Sequence, residues 1–179
     1  GVLSGPPTRR TTEQGGPMRR IVIVGIVAAF VLGIAATAMA KGHDNGKSYL
    51  VRQPGARAVT AEHIDALNAC DIDRLMAQYP PSIHIILPDG GQAVGRAEVL
   101  ALFEGFCSDP ADGGLNGLQF TEIESWKVAG TINMQWKADA DFLCEPYFGA
   151  DAYETRWGLM AAQVTTFDGS KLQFVGTDC

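Results

Sequence analysis

The sequence predicts an α+β domain in which a cone-shaped, curved antiparallel sheet wraps around N-terminal helices. Three observations favour this fold class: apolar residues recur at helical spacing between residues 60 and 106, later segments alternate apolar and polar residues as half-buried strands do, and glycine-containing turns separate those segments. Helices that precede consecutive antiparallel strands pack on one face of the sheet. We expect this domain to span residues 59–179.

Composition limits the number of domains and the kinds of partner. Of the 179 residues, 46% are hydrophobic, which is enough for one domain with a real core. Residues 41–179 hold 10 Lys and Arg against 19 Asp and Glu, a formal charge of −9, whereas the whole chain carries −6. Nucleic acids and anionic lipid surfaces attract positive charge, so neither is an expected partner of this segment.

The N-terminal part of the chain differs from the rest. Residues 1–17 are rich in Gly, Pro, Thr and Arg, which predicts a disordered tail or sequence upstream of the true start. Residues 18–40 predict a secretory signal peptide, because two arginines precede an uncharged apolar stretch that ends in Ala-Met-Ala. A retained membrane anchor is the alternative, and only then is a membrane an expected partner. Residues 41–58 predict a linker or loosely docked arm. From the predicted signal peptide we expect a secreted or periplasmic protein.

The helical stretch is expected to form three helices. Thr60 is the predicted N-cap of the first helix, and Asp71 is the predicted N-cap of the second, because its side chain can accept from a backbone N–H two or three residues later. Pro80 and Pro81 end the second helix. Apolar residues at three- and four-residue intervals predict the third helix over residues 97–106.

Strands are expected over residues 82–87, 118–128, 131–142, 153–166 and 171–177. The dipeptide Ala129-Gly130 predicts a hairpin between the second and third of these strands, and Asp168-Gly169 predicts another between the last two. Alternation is lost near Glu122, which indicates a bulge. The third strand keeps a clean alternation, so one of its faces is expected to be buried and the other wet.

Three short motifs occur in order along this domain. They are Ala-Leu-Asn-Ala-Cys-Asp at residues 66–71, a Pro-Asp-Gly-Gly turn at 88–91, and Val-Gly-Arg at 94–96, which opens the third helix. Their order resembles the nuclear-transport-factor-2-like (NTF2-like) superfamily, nearest to its SnoaL-like and ketosteroid-isomerase-like branches, over residues 58 to 179. The resemblance implies a cystatin-like α+β barrel with a pocket between helices and sheet, a small, largely apolar ligand, no required cofactor and a homodimer.

Ketosteroid isomerases use a tyrosine, an aspartate base and a protonated aspartic acid. The resemblance places these three positions at His63, Leu87 and Ala162, of which two have no side chain that can transfer a proton. Asp89 is a candidate replacement base, although Pro-Asp-Gly is the composition of an ordinary turn. We therefore predict His63 and Asp89 as the candidate catalytic residues.

Several other residues are candidates for the pocket or for metal binding. The pocket wall is expected to contain Leu87, Phe103, Trp136 and Ala162, while Trp126, Tyr147 and Tyr153 are expected in the core or pocket wall. His84 alternates with isoleucines and predicts a hydrogen-bonded strand histidine. The acidic residues Asp139, Asp141 and Glu145 predict a solvated face, so we expect no metal site.

The four cysteines are an even set in a chain that carries an export signal. Disulfides are therefore expected, since no Cys-x-x-Cys motif or clustered histidines suggest a metal site. The expected pairs are Cys107 with Cys144 and Cys70 with Cys179. Buried free thiols are the alternative.

The sequence leaves three functions open. The first is an exported SnoaL-like domain that binds a small, largely apolar molecule. The second is a non-enzymatic protein-interaction module of the cell envelope, which a retained anchor would hold at the membrane. The third is an isomerase, cyclase or lyase that performs acid–base chemistry at an altered site without a cofactor. Fold by itself does not decide among them.

Overall fold

The computed structural model describes residues 49–179. The predicted tail (1–17), the signal peptide or anchor (18–40) and residues 41–48 of the predicted linker lie outside this part of the chain. Within residues 49–179, no helix is long and apolar enough to cross a membrane. The helices described here are α1 (Ala56–Asn68), α2 (Ile72–Ala77) and α3 (Gly95–Phe106).

The strands form one mixed, curved sheet of six strands that does not close. They are β1 (His84–Ile86), β2 (Gln92–Val94), β3 (Gln119–Val128), β4 (Thr131–Asp139), β5 (Tyr147–Arg156) and β6 (Leu159–Phe167). Their order is β2-β1-β6-β5-β4-β3. The predicted α+β class is confirmed. The sheet differs from the prediction in being open and in having β1 parallel to β6, so it is neither a barrel nor fully antiparallel.

One of the two predicted helix N-caps is confirmed and the other is wrong. Asp71 caps α2 as predicted, since its Oδ1 accepts from the backbone N–H of Arg74 at 3.0 Å. Thr60 is not a cap, because α1 begins four residues earlier and Thr60 lies buried inside it. Residues 49–55 precede α1. Val51 N donates to the Ala77 carbonyl and Gln53 N donates to the Gly158 carbonyl, and these two hydrogen bonds fix where the chain enters the helix.

The first predicted hairpin is confirmed and the second is wrong. β3 and β4 are joined at Ala129-Gly130, and β3 carries the predicted bulge between Glu122 and Glu124. The second hairpin turns instead at Trp157-Gly158, where both residues have positive φ (52° and 75°). Asp168 caps a short 3₁₀ turn, and the predicted strand at 171–177 is reduced to one bridge between Leu143 and Phe174.

The core lies between α1 and the concave face of the sheet. The alternation predicted for the third strand is confirmed, since Ile132, Met134, Trp136 and Ala138 on β4 are all buried. α1 contributes Val59, Ala66 and Leu67 to the same core. Burying each large apolar side chain stabilises the fold by about 1.5–3 kcal/mol. This packing fixes the distance between α1 and the strands that carry the candidate site.

All four cysteines form disulfides, but the predicted pairs are wrong. Cys70 pairs with Cys107: Cys70 lies two residues after the end of α1, Cys107 directly follows α3, and their Cα atoms are 5.5 Å apart. Cys144 pairs with Cys179, because the C-terminal segment returns alongside the end of β4 and bonds it through Cys144 N to the Gln173 carbonyl. Two disulfides are compatible with an extracellular or periplasmic protein.

Candidate functional site

The side chains of Asp151, Trp136, Tyr153 and Gln163 meet inside the domain and hydrogen-bond at the Asp151 carboxyl group. Trp136 Nε1 donates to its Oδ1 at 3.0 Å, the Tyr153 hydroxyl donates to Oδ2 at 2.6 Å, and Gln163 Nε2 donates to Oδ2 at 3.3 Å. Asp151 and Tyr153 are two residues apart on β5 and share its inward face. Trp136 and Gln163 come from the strands on either side.

The surroundings of Asp151 favour its protonated form. Burial raises the pKa of this carboxyl above its ordinary value, and the hydrogen bonds from Tyr153, Trp136, Thr165 and Gln163 oppose that rise. These donors are neutral and reduce the cost of a buried negative charge without cancelling it. Asp151 is therefore a group that can hold a proton at a higher pH than an ordinary aspartate.

A second polar pair lies on the helical side of the same interior. The Tyr79 hydroxyl and Nδ1 of His63 are 3.1 Å apart, and both side chains are fully buried. Burial lowers the pKa of His63 to about 3, so the imidazole is neutral at physiological pH. Burial also raises the pKa of Tyr79 well above its ordinary value, so this hydroxyl keeps its proton.

The two groups of polar residues meet at an aromatic contact. The rings of His63 and Tyr153 have centroids 5.4 Å apart, and Phe103 packs against His63 at 6.0 Å and stacks on Tyr79 at 5.7 Å. We call the six residues Asp151, Trp136, Tyr153, Gln163, His63 and Tyr79 the interior cluster. It is a set of polar groups enclosed by aromatic and aliphatic side chains.

Several buried polar atoms of this region have no hydrogen-bond partner. They include His63 Nε2 and Gln163 Oε1 within the interior cluster, and Thr60 Oγ1 and Gln78 Oε1 close by. A neutral imidazole has one donor and one acceptor nitrogen, so whichever role Nδ1 takes toward Tyr79, Nε2 has the other role unfilled. Buried polar atoms in proteins are nearly always paired, so these exceptions mark a site that can accept further hydrogen bonds.

A hollow of about 220 Å³ lies between α1 and the β3–β4 hairpin. Its lining residues are Arg57, Thr60, Ala61, Ile64, Asp65, Glu122, Ser125 and Ile132. Ile132 is the cross-strand partner of Tyr153, and Thr60 precedes His63 by about one helical turn. The hollow therefore lies next to the interior cluster, and we call it the α1–β3 hollow.

The predicted site residues are only partly brought together. His63, Phe103 and Trp136 lie in the interior, and Leu87 packs at the edge of the core. Asp89 does not join them, because it lies in an exposed turn where its Oδ1 accepts from Gly91 N at 2.8 Å. The catalytic and binding roles of these residues remain predictions.

Ala162 also lies away from the interior cluster. It pairs with Glu154 and His84 on the outward face of β6, whereas its neighbour Gln163 faces inward. The resemblance places the second acid on the strand that leads into the last hairpin, and that strand is β5. The position at Ala162 was therefore taken from the wrong strand, and the buried acid on β5 is Asp151.

Three of the six residues of the interior cluster, Asp151, Gln163 and Tyr79, were not predicted from the sequence. Asp151 could have been found from the two-residue spacing of Tyr147, Gly149, Asp151 and Tyr153, which places one acid among residues of a buried face. Tyr147 and Tyr153 are buried as expected, but Trp126 is not, since 48% of it is exposed. The predicted strand histidine is confirmed, because His84 Nε2 lies 2.8 Å from Gln92 Oε1.

The acidic residues at the end of β4 lie where the sequence placed them, at the surface. Asp139 forms an ion pair with Lys137 at 2.9 Å, and Asp141 and Glu145 are exposed. Among residues 49–179, no group of three or more His, Cys, Asp or Glu side chains is placed to hold a metal ion.

Comparison with solved structures identifies the fold. An NTF2-like protein of unknown function from Cytophaga hutchinsonii superimposes with a TM-score of 0.53 at 13% identity, covering 66% of this chain and 94% of that one. TerC, crystallised with polyporic acid, gives 0.52 at 14% identity over 64% and 92%. An LEH-like epoxide hydrolase of M. tuberculosis gives 0.53 at 12% identity over 65% and 85%.

These similarities show that the described residues have the NTF2-like fold. No family model matches the sequence. A search of curated proteins also finds no match. Because the structural relatives share so little sequence, they show the fold alone.

Proposed function

We propose that this domain binds a small, largely apolar molecule that carries a hydrogen-bonding oxygen, between α1 and the concave face of the sheet. The observation that carries this proposal is the pair of unpaired buried polar atoms, His63 Nε2 and Gln163 Oε1. The Gln163 side chain contacts the carboxyl of Asp151, and the His63 ring lies against Tyr153. Leaving such an atom unpaired costs about 1–3 kcal/mol. A bound hydroxyl or carbonyl that completes one of these hydrogen bonds would be stabilised by a similar amount.

The residues around the cluster suit an apolar ligand. Phe103, Ile132 and Met134 are almost fully buried and contribute only carbon or sulfur atoms to the interior. A ligand with one polar group matches a site in which a few convergent polar atoms are enclosed by apolar walls. TerC, which has the same fold, was crystallised with polyporic acid, and this supports a small organic ligand as the class.

Entry to the interior would occur at the α1–β3 hollow. Arg57 Nη1 donates to Ser125 Oγ at 3.1 Å, and Ser125 Oγ donates to Glu122 Oε1 at 2.7 Å, so this chain of bonds joins α1 to β3 across the hollow. Because His63 and Tyr79 are fully buried, binding requires α1 and the β3–β4 hairpin to separate here. The bonds that must open are exposed and therefore weak.

An acid–base reaction at this site would use Asp151. Its raised pKa and its position beside the hydroxyl of Tyr153 suit proton transfer, whereas Asp89 lies in an exposed turn outside the interior. The similarly folded epoxide hydrolase of M. tuberculosis supports the view that this fold can host such chemistry. Ligand binding is the main proposal, and turnover would be an addition to it.

A protein-interaction module is the second candidate, and a specific observation favours it. Large apolar side chains are exposed on the outward face of the sheet and its β3 edge: Ile123, Trp126, Val128 and Phe148 are 48–60% exposed. A shallow groove of about 590 Å³, lined in part by Phe148, Ala150 and Thr166, lies on this face. Exposed apolar patches of this kind commonly mark protein contacts. Sedimentation of wild type and Phe148→Asp would test it.

Binding can be tested with two probes that differ by one oxygen, 2-naphthol and naphthalene. The full chain should bind 2-naphthol about tenfold more tightly, because only the hydroxyl can pair with the interior cluster. Asp151→Asn should reduce this preference, because an amide cannot accept from all the donors that surround it. Asp141→Asn, at an exposed position, is the matched control and should behave as wild type. Equal affinity of the wild type for both probes would contradict the proposal.

A further inference from the structure

Exposed aromatic and cationic side chains are gathered at one end of the domain. This end consists of residues 49–57, 126–131 and 154–158, and we call it the entry end because the described chain begins there. Direct contacts join the three segments. Arg52 Nη1 donates to the Trp157 carbonyl at 2.6 Å, and Thr155 N donates to the Gly130 carbonyl at 3.0 Å.

The aromatic residues of the entry end are unusually exposed. Trp157 is 75% exposed and Tyr49 is 79% exposed. The guanidinium carbon of Arg156 lies 4.5 Å from the centroid of the Trp157 ring, so a cation is held directly on this exposed aromatic face. Trp and Tyr beside Arg and Lys is the composition that proteins present to the boundary between lipid headgroups and hydrocarbon.

Charge is distributed very unevenly over the domain. Residues 49–179 contain eight Lys and Arg against eighteen Asp and Glu. Four of those eight cations, Arg52, Arg57, Lys127 and Arg156, belong to the entry end, where Glu154 is the one carboxylate in the sequence of its three segments. The remainder therefore has four cations against seventeen carboxylates. Near an anionic surface the entry end is attracted and the rest is repelled, so the charge distribution orients the molecule.

The chain leads from the entry end toward a long apolar segment. Residues 21–40 carry no charge, and only the eight residues 41–48 separate them from Tyr49. Eight residues span at most about 28 Å when fully extended. If residues 21–40 enter a bilayer, the entry end is the part of the domain that is tethered close to its surface.

We propose that the entry end docks on an anionic lipid surface. Trp157 and Tyr49 enter the headgroup region, and Arg52, Arg156 and Lys127 contact lipid phosphates. The net negative charge of residues 41–179 predicts that the domain as a whole avoids anionic lipid. The entry end is an exception, because half of the cations of residues 49–179 are concentrated there. This inference is independent of the proposed ligand site.

Fluorescence quenching by brominated lipid tests the docking directly. The full chain is added to vesicles that contain 70% phosphatidylcholine and 30% phosphatidylglycerol. Part of the phosphatidylcholine carries dibrominated acyl chains, which quench tryptophan fluorescence. Brominated lipid should quench more of the tryptophan emission of the wild type than of Trp157→Phe. This difference should appear whether or not residues 21–40 insert. Arg52→Gln and Arg156→Gln should each lower the ratio of docked to undocked protein roughly fivefold, and 0.5 M salt should lower it further.

Matched variants away from the entry end provide the controls. Phe148→Ala removes an aromatic side chain that is 58% exposed, and Lys171→Gln removes an exposed cation; neither should change the quenching. Equal quenching of wild type and Trp157→Phe would overturn the proposal. Equal quenching by uncharged vesicles, or wild-type behaviour of both arginine variants, would overturn the assignment of an anionic surface.

Discussion

The hydroxyl oxygen of Tyr153 lies 2.6 Å from Oδ2 of Asp151, and the two side chains share the inward face of β5. Burial raises the pKa of both groups, for Tyr153 well above its ordinary value, so neither releases its proton as readily as it would in water. On the opposite side of this pair is a histidine whose pKa is lowered by the same burial. The two sides of the interior cluster therefore make opposite predictions about pH.

The first prediction concerns Asp151. Its folded-state pKa is raised, so the folded protein still holds this proton at pH values where the unfolded chain has released it. The contribution to stability is then fully present below the unfolded pKa near 4 and is lost as pH rises through the folded pKa. In urea unfolding, the stability of wild type relative to Asp151→Asn should fall as pH rises above 4. A relative stability that rises with pH would contradict this.

The second prediction concerns His63 and has the opposite sign. Its folded pKa of about 3 lies below the ordinary 6.5, so its contribution is present above pH 6.5 and is lost as pH falls toward 3. The loss should reach roughly 4–5 kcal/mol at the acid limit, because each unit of pKa shift corresponds to about 1.4 kcal/mol. His63→Gln should flatten this acid limb in the same unfolding series. An acid limb of unchanged slope in His63→Gln would show that other groups cause it.

The third prediction concerns the close approach of Trp136 to Gly149. A Cβ on Gly149 would collide with the Trp136 ring and lie 2.7 Å from the Thr166 carbonyl oxygen. Gly149→Ala should therefore lower the free energy of unfolding by about 1–3 kcal/mol, as overpacking does. Gly55→Ala is the control, because an added Cβ there meets nothing within 4 Å. Gly55 is the N-cap of α1, so this change should cost only the poorer capping by alanine, at most about 1 kcal/mol and less than Gly149→Ala. Equal effects of the two substitutions would count against the packing described here.

The fourth prediction concerns the disulfides. Non-reducing peptide mapping should yield Cys70 joined to Cys107 and Cys144 joined to Cys179. Each bond closes a loop of 35–37 residues, so replacing either pair by serine should lower the free energy of unfolding by about 3–4 kcal/mol in the loop-entropy estimate. A peptide joining Cys107 to Cys144 would instead support the pairing expected from sequence.

Much of the fold could be predicted from the sequence because local signals agreed with the final structure. The β3–β4 hairpin combines clean alternation with the Ala129-Gly130 turn, and Asp71 is a conventional cap. The last hairpin could not be placed, because its turn uses Trp157 at positive φ, where Asn, Asp or Gly is the usual signal. Asp168-Gly169, which carries that signal, forms a capped 3₁₀ turn.

Because the last hairpin was misplaced, the inward-facing residues of β5 could not be identified from the sequence. His63 was named through the family resemblance, which depends on the Ala-Leu-Asn-Ala-Cys-Asp motif on and after α1, and the structure places it among the buried residues of that helix. Asp151 depends on which residues of β5 face inward, and that follows from strand register, which is set by long-range pairing. The disulfides failed for a related reason, since their geometry depends on where helix ends and the C-terminal segment meet.

The central claim is that a small molecule contacts the interior cluster. The ¹⁵N chemical shifts of the His63 and Trp136 side chains test this claim most directly. In ¹⁵N spectra of the full chain titrated with 2-naphthol, the imidazole signals of His63 and the indole N–H of Trp136 should shift together. The indole signals of Trp126 and Trp157, which are exposed, should stay in place. Shifts confined to Trp126 or Trp157, or no shift of His63 at saturation, would contradict the account.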